Sequence, residues 1–258
     1  MVTCVCVTEI VPPDEWPAKG EVTFESVSLS YDATLEPVVT DFNLHVHGGE
    51  TIGLCGRTGS GKSSVTLSLF RINHICAGRI LIDGLDISCI SLHTLRSRLT
   101  VIPQDPVLFS GTLRFNLDTE GSSDDSAIWR VLEIVQMKAG VLDLPEKLDF
   151  VVTEGGENFS VGERQLLCIA RAIMRDSRLL IMDEATASVD LRTDQVIQEV
   201  LRTQFTHSTV VIIAHRVSSI LTCDKVVVLS AGKVLEVDTP YHLRMRDSVF
   251  ASMVNQID

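Results

Sequence analysis

One run of consecutive residues in this chain has the types and spacing that hold phosphate groups. It consists of Gly56, Arg57, Thr58, Gly59, Ser60, Gly61, Lys62 and Ser63, with Ser64 next in the chain. The first and last of its glycines stand five residues apart, and Lys and Ser directly follow the last one. Glycine allows the backbone to approach phosphate oxygens closely. The lysine would reach the β- and γ-phosphates of a nucleotide, and the serine hydroxyl would bind Mg²⁺.

The segments on either side of this run predict the elements that a phosphate loop needs. Residues 50–55 indicate a short buried strand, and residues 64–70 carry apolar side chains at helical intervals. A loop between a strand and a helix N-terminus turns several backbone N–H groups toward one point, where the helix dipole also favours negative charge. We therefore predict a nucleotide-binding site here.

Polar side chains at the ends of other predicted strands suit the same chemistry. Asp183 and Glu184 end one apolar run, and His215 ends another. Since ligands of open α/β sheets sit at the carboxyl ends of strands, Asp183 suits the Mg²⁺ shell and Glu184 suits the water that attacks the γ-phosphate. His215 could bind the γ-phosphate, Gln104 could contact both Mg²⁺ and this water, and Tyr31 could stack on adenine.

Composition narrows the class of protein. The chain has 258 residues, 45% of them hydrophobic, and a formal net charge of −12. This acidic balance argues against a nucleic-acid partner, which needs a basic face. No apolar run is long enough for a membrane span, and the start does not resemble a signal peptide. The cysteines are odd in number and lack metal-like spacing, so we expect them to be reduced thiols.

The hydrophobic patterns predict an α/β fold. Residues 21–31 and 42–47 alternate apolar and polar side chains, whereas 179–182 and 210–214 are apolar throughout. The first pattern is typical of half-exposed, antiparallel strands, and the second of parallel strands covered on both faces. We expect residues 1–20 to be a connector, residues 21–258 to be one nucleotide-binding domain, and a helical subdomain to be inserted at about 105–167.

Further motifs carry a family resemblance. Residues 159–165 (Phe-Ser-Val-Gly-Glu-Arg-Gln) resemble the signature motif of ATP-binding cassette proteins, usually Leu-Ser-Gly-Gly-Gln. Residues 95–99 and 102–112 resemble the second nucleotide-binding domain of subfamily C transporters, as do residues 154–158. Finer details, including Phe159, are most similar to the sulfonylurea receptors. The resemblance implies a P-loop NTPase core with parallel and antiparallel strands, which binds and hydrolyses Mg-ATP.

The resemblance also implies partners and location. Such domains work in head-to-tail pairs, each ATP lying between one phosphate loop and the partner domain's signature. The signature residues Ser160, Val161, Gly162 and Glu163 would then act on a nucleotide held by another domain, with Asp190 at the same interface. The domain would lie at the cytoplasmic face of a membrane, attached to transmembrane domains of the same protein, and its ATPase activity would be weak in isolation.

Two residues depart from the family pattern. Val161 replaces the first glycine of the signature, and Glu163 replaces its glutamine. The spacing of Ser160 and Glu163 predicts a capping box for the helix that ends at Arg175, worth about 1 kcal/mol. The same carboxylate places negative charge where the partner's γ-phosphate approaches. We therefore expect this signature to serve a site that binds ATP but hydrolyses it poorly.

Three other functions remain open at this point. The first is a nucleotide sensor that gates an inward-rectifier potassium channel, as the sulfonylurea-receptor resemblance implies. The second is a chromosome-maintenance or repair ATPase, which would need a coiled coil or a DNA-binding segment and a basic surface. The third is a translation-associated protein, which would need tandem cassettes. The chain shows none of the features that the second and third require.

Overall fold

The computed structural model describes residues 9–183, 189–213 and 217–255. The chain divides into two compact units. The first contains Met1–Thr100, Arg178–Ile181 and His207–Asp258, and the second contains Val101–Ser177 and Met182–Thr206. Each unit is therefore assembled from stretches that are distant in the sequence.

The elements of the described residues are the following. The strands are β1 (Val22–Ser30), β2 (Val39–Val46), β3 (Thr51–Cys55), β4 (His74–Ile82), β5 (Leu85–Asp86), β6 (Leu99–Ile102), β7 (Gly111–Thr112), β8 (Val151–Val152), β9 (Leu179–Asp183), β10 (Thr209–Ile213), β11 (Lys225–Ser230) and β12 (Lys233–Asp238). The α-helices are α1 (Lys62–Leu69), α2 (Leu92–Arg98), α3 (Leu113–Leu117), α4 (Asp125–Ile134), α5 (Lys138–Asp143), α6 (Val161–Arg175), α7 (Leu191–Gln204), α8 (Val217–Leu221), α9 (Pro240–Met245) and α10 (Val249–Val254).

An antiparallel sheet in the first unit has the strand order β2-β1-β4-β5. Its strands bury alternate residues, as their sequence pattern predicts. Phe24 and Phe42 pack edge to face on the buried side, with ring centroids 5.0 Å apart. Thr23 and His45 form a cross-strand pair, and the side chain of His45 is exposed. One face of this sheet thus belongs to the core and the other faces solvent.

The second sheet positions the phosphate loop. Its strand order is β12-β11-β3-β10-β9-β6. β3 lies between β11 and β10 and is parallel to both, whereas β12 pairs with β11 in the antiparallel sense. Every residue of β10 is buried, as expected for an apolar strand covered on both faces. The α/β class predicted from the sequence is confirmed.

The segment before β1 is packed rather than extended into solvent. Trp16 is 4% exposed, and its indole N–H donates to the Ile82 carbonyl at 3.0 Å. The Asp83 carboxylate accepts hydrogen bonds from the backbone N–H groups of residues 18–21. The first unit therefore includes residues that precede Glu21.

The second unit is mainly helical and contains the short β7–β8 ladder. Its longest helix, α6, is buried on all sides from Gln165 to Ala170, and its C-cap, Asp176, has the left-handed conformation. Within the region predicted to be a helical subdomain, α4 begins at Asp125 because Asp124 caps its N-terminus. Among the described residues, no helix is both long and apolar enough to span a bilayer.

The cysteines differ in part from expectation. Cys55, Cys76, Cys168 and Cys223 are free thiols. Cys89 is disulfide-bonded. The expectation that all cysteines are reduced is therefore wrong for Cys89.

Candidate functional site

The predicted phosphate loop connects the end of β3 to the start of α1. Its glycines all have positive φ angles, 147° at Gly56, 79° at Gly59 and 103° at Gly61. Gly61 is the N-cap of α1 in the left-handed conformation and offers no side chain. The loop can therefore fold back tightly at the helix N-terminus, where free N–H groups and the helix dipole attract anions.

Neighbouring strands explain why two of these positions require glycine. A β-carbon on Gly56 would lie 2.2 Å from the Leu229 carbonyl oxygen. A β-carbon on Gly61 would lie 2.8 Å from Val39 Cγ2. By contrast, a β-carbon on Gly59 would meet nothing within 4 Å. Packing against β11 and β2 thus fixes the loop at its first and last glycines.

Backbone hydrogen bonds hold the middle of the loop. The Gly232 N–H donates to the Ser60 carbonyl at 3.1 Å, and the Gly232 carbonyl accepts from the Thr40 N–H at 2.9 Å. The Ser60 N–H donates to the Arg57 carbonyl at 3.1 Å. The buried Ser60 hydroxyl has no hydrogen-bond partner among the described residues. The turn at Gly232 therefore ties the loop to β2.

Lys62 carries a buried positive charge at the end of the loop. Its side chain is 6% exposed, and its ammonium donates to the carbonyl oxygens of Gly56 at 2.9 Å and Arg57 at 3.3 Å. The charge is therefore held against the loop rather than in solvent. Burial raises the pKa of the neighbouring Cys55 thiol to about 12, although the charge of Lys62 acts in the opposite direction.

Tyr31 lies beside the start of α1. Its hydroxyl is 3.1 Å from the Ser64 hydroxyl, although the two residues are far apart in the sequence. Ser64 is buried, and its carbonyl accepts from the Asn73 side chain at 3.1 Å. Tyr31 itself is 61% exposed. An exposed aromatic ring at the loop is suited to stacking on a base.

The signature residues form the start of α6 in the second unit. The Glu163 carboxylate accepts hydrogen bonds from the Ser160 backbone N–H and from the Ser160 hydroxyl, both at 2.8 Å. The Ser160 hydroxyl accepts in turn from the Glu163 N–H at 3.3 Å. The predicted capping box is confirmed, with α6 beginning at Val161. Ser160, Val161 and Glu163 are all exposed.

Asp190 lies next to the signature glycine. A β-carbon on Gly162 would be 3.3 Å from Thr193 Oγ1 and 3.7 Å from Asp190 Oδ2. Asp190 caps α7 by accepting from the N–H groups of Arg192 and Thr193, and its second oxygen accepts from the Thr193 hydroxyl at 2.7 Å. The bond from the Thr193 hydroxyl contributes most to lowering the pKa of Asp190.

The remaining predicted residues are placed as follows. Gln104 is exposed after β6, and Asp183 is the half-buried last residue of β9, both in the second unit. Glu184 and His215 lie outside the described residues. The first unit thus brings together Tyr31 and the phosphate loop, and the second brings together the signature and Asp190.

Sequence reasoning missed the residues that support these groups. Val39, Leu229 and Gly232 pack around the loop, and Thr193 lies between Gly162 and Asp190. Only the sheet order places the turn at Gly232 beside the loop.

This arrangement of a buried strand, a glycine loop with a positioned lysine and a following helix defines a P-loop nucleotide-binding protein. The model of the ABC transporter family matches residues 39–187, so the chain belongs to that family. The chain is 54% identical over 243 residues to ATP-binding cassette sub-family C member 8 of Rattus norvegicus, covering 94% of this chain and 15% of that protein.

A second relative and a solved structure agree with this family membership. Sub-family C member 3 of Homo sapiens is 52% identical over 242 residues, covering 94% of this chain and 16% of that protein. The solved structure of a bacterial Atm1-family ABC exporter with ATP bound superposes with a TM-score of 0.89 at 31% identity, covering 98% of this chain and 44% of that one. The chain therefore corresponds to a nucleotide-binding domain. It spans about a sixth of the length of the curated relatives that it matches.

Proposed function

We propose that this chain binds Mg-ATP and hydrolyses it as the second nucleotide-binding domain of a subfamily C membrane protein. In this proposal it lies at the cytoplasmic face of a membrane, and its ATP cycle drives or regulates transport through attached transmembrane domains. Identity above 50% to two subfamily C members supports the proposal. The observation that carries it is the loop that holds the Lys62 ammonium against its own carbonyl groups.

Phosphate binding would use the first unit. The N–H groups of residues 56–64 would donate to the phosphate oxygens, while Lys62 would move from the loop carbonyls to the β- and γ-phosphates. Tyr31 would stack on the adenine ring. The proposal thus assigns affinity to the backbone of the loop and orientation of the base to one exposed aromatic side chain.

Magnesium would be held by oxygen donors. Ser63, Gln104 and Asp183 offer a hydroxyl, an amide carbonyl and a carboxylate, which is the ligand chemistry that Mg²⁺ prefers. Ser63 and Gln104 are exposed and Asp183 is partly exposed, so none of the three donors is fully buried in the core. When bound, the ion would neutralise charge that develops on the phosphate oxygens.

Hydrolysis would depend on two residues outside the described ranges. Glu184 would accept a proton from the attacking water or orient it, and His215 would donate a hydrogen bond to the γ-phosphate. Gln104 would help to position the same water. These assignments follow from the family resemblance and from the position of each residue after a buried strand.

The signature would act on a nucleotide held by a second nucleotide-binding domain. Ser160 and Gly162 would approach its γ-phosphate, with Asp190 at the same interface. Glu163 already binds the Ser160 hydroxyl, and its charge would repel the phosphate. We infer that this signature serves a site with slow turnover, whereas the loop of this chain belongs to the active site of the pair. Alone, the chain would hydrolyse ATP weakly.

A second candidate function is a nucleotide-sensing subunit that gates a potassium channel. The resemblance of details such as Phe159 to the sulfonylurea receptors favours it, together with the 54% identity to sub-family C member 8. In that case occupancy by MgATP or MgADP would shift a conformational equilibrium. Joining this domain to the remainder of a subfamily C protein, and measuring solute flux and potassium current, would separate the two functions.

The primary test is nucleotide binding by the 258-residue chain. We expect MgATP to bind by isothermal titration calorimetry and the Lys62→Ala variant to lose at least tenfold in affinity. Lys19→Ala, which removes an exposed lysine remote from the loop in sequence, is the control and should bind as the parent does. If the parent binds no adenine nucleotide, or if Lys62→Ala binds equally well, the proposal is wrong.

A further inference from the structure

Three side chains with metal-binding chemistry meet on the solvent-facing side of the antiparallel sheet. They are Glu21, His45 and His47, and their candidate ligand atoms all lie within 4.8 Å of one another. We propose that they form a binding site for one divalent transition-metal ion of the zinc type. The site shares no residue with the proposed Mg-ATP site, and two of its three donors are imidazole nitrogens.

Strand register brings the three residues together. β1 and β2 are antiparallel, with Val22 opposite Val46 and Thr23 opposite His45. Continuing this register by one residue places Glu21 opposite His47. Because side chains alternate along a strand, the pair Thr23–His45 and the pair Glu21–His47 share one face of the sheet. Residues paired in this way across two strands are close enough for their side chains to interact.

The separation of the imidazoles suits a shared ion. His45 Nε2 and His47 Nδ1 are 3.2 Å apart, and the rings are nearly perpendicular, at 85°. With Zn–N bonds of about 2.0–2.1 Å and tetrahedral angles, two ligand nitrogens stand about 3.3–3.4 Å apart. An ion could therefore bind between the two rings with little movement of either one.

Neighbouring groups hold the ligands in place. His45 Nδ1 is 3.0 Å from Thr23 Oγ1, so its Nε2 is directed to the cluster. A hydrogen bond from the second ring nitrogen is the usual support of a metal-bound histidine. The backbone N–H of His47 donates to Glu50 Oε2 at 2.9 Å, and the backbone N–H of Glu21 donates to Asp83 Oδ1 at 2.7 Å. These bonds hold the backbone in place at His47 and at Glu21.

The donor set selects the class of metal. Imidazole nitrogens favour Zn²⁺, Cu²⁺ and Ni²⁺, whereas Mg²⁺ and Ca²⁺ prefer oxygen ligands. The Glu21 carboxylate forms no ion pair with any residue that the structure describes, so it is available to neutralise the ion. Three protein ligands leave a fourth position for water. Both histidines are exposed, so the ion can enter from solvent.

The proposal is tested by titrating the 258-residue chain with Zn²⁺ in a calorimeter after blocking its cysteine thiols, which removes competing sulfur ligands. We expect one equivalent to bind. Glu21→Gln and His47→Ala should each weaken binding by tenfold or more, and Thr23→Val by about tenfold through loss of support for His45. His93→Ala, which removes an exposed histidine elsewhere in the same unit, should have no effect.

Cobalt provides an independent readout. Co²⁺ should give the intense visible absorption of a tetrahedral site, and Zn²⁺ should displace it. Absence of Zn²⁺ binding by the blocked protein would overturn the proposal. So would binding that is equal in the parent, Glu21→Gln and His47→Ala, because the two imidazoles would then only hydrogen-bond to each other. Glu21→Gln preserves side-chain size, so its result does not depend on a change in folding.

Discussion

The Glu163 carboxylate lies 2.8 Å from both the backbone nitrogen and the hydroxyl oxygen of Ser160. One residue therefore stabilises the start of α6 and occupies the hydroxyl of the signature serine. The helix gains a hydrogen-bonded cap, while the surface that would face a partner's nucleotide gains a negative charge. These two effects can be measured separately.

The first prediction concerns stability. Glu163→Ala should lower the free energy of unfolding by about 1 kcal/mol, because the Ser160 N–H and hydroxyl lose their acceptor. Glu163→Gln should change it less, since an amide oxygen can still accept these bonds. Urea unfolding measures both, with Glu157→Ala as a control for an exposed glutamate outside the cap. Equal stability of Glu163→Ala and the parent would contradict the prediction.

The second prediction concerns charge at the proposed interface. In a protein containing both nucleotide-binding domains, Glu163→Gln should increase ATP affinity and turnover at the site that this signature faces, because it removes repulsion in a water-poor contact. Glu157→Gln makes the same change of charge nearby and should have little effect. Unchanged affinity and turnover in Glu163→Gln would refute the electrostatic argument.

The third prediction separates binding from hydrolysis. Glu184→Gln should bind MgATP with the affinity of the parent but lose hydrolysis, because an amide cannot accept the proton of the attacking water. Binding and phosphate release are measured on the same paired protein. Glu199→Gln changes a glutamate that is ion-paired with Arg202 on the surface of α7 and serves as the control. Retained turnover in Glu184→Gln would exclude a catalytic role.

The fourth prediction uses two glycines of one loop. Gly56→Ala should abolish MgATP binding or destabilise the fold, because its β-carbon would lie 2.2 Å from the Leu229 carbonyl oxygen. Gly59→Ala has open space and should cost only the strain of a positive φ, about 1–2 kcal/mol. Thermal unfolding and calorimetric titration of the two variants test the difference. A similar result for both would mean that backbone strain alone matters here.

The fifth prediction concerns alkaline pH. Burial raises the pKa of the Cys223 thiol from 9.0 to about 12 in the folded protein. Above pH 9 the unfolded chain loses this proton and the folded protein keeps it, so the stabilisation is complete below pH 9 and declines as pH rises toward 12. One such thiol contributes a slope of up to about 1.4 kcal/mol per pH unit.

Cys223→Ala should therefore reduce the loss of stability measured by urea unfolding between pH 9 and 11. Val226→Ala, which truncates a buried side chain without a titrating group, should keep the slope of the parent while lowering the stability at every pH. If stability falls equally steeply with pH in the parent and in Cys223→Ala, the Cys223 thiol is not a source of the pH dependence.

Local sequence patterns predicted much of the fold because each reflects a local physical requirement. The loop at 56–63, the strand before it and the capping box at Ser160 depend on neighbours within a few residues, and all three are present as predicted. The described part of the apolar run at 210–214 likewise belongs to β10, which begins one residue earlier, at Thr209.

Features that depend on long-range pairing were not accessible in this way. Leu229 restricts Gly56 only because β11 pairs with β3. Local patterns do not reveal the cluster of His45 and His47 with Glu21, since their proximity depends on the register of β1 and β2. The disulfide at Cys89 was likewise missed, because cysteine spacing alone does not determine which cysteines are paired. The catalytic roles of Glu184 and His215 stay predictions.

The turn at Gly232 has a thermodynamic consequence for whatever occupies the loop. Its N–H already binds the Ser60 carbonyl, and its own carbonyl already binds Thr40. An incoming nucleotide therefore meets a preorganised backbone and does not have to immobilise it. Less conformational entropy is lost on association, so more of the contact energy is expressed as affinity.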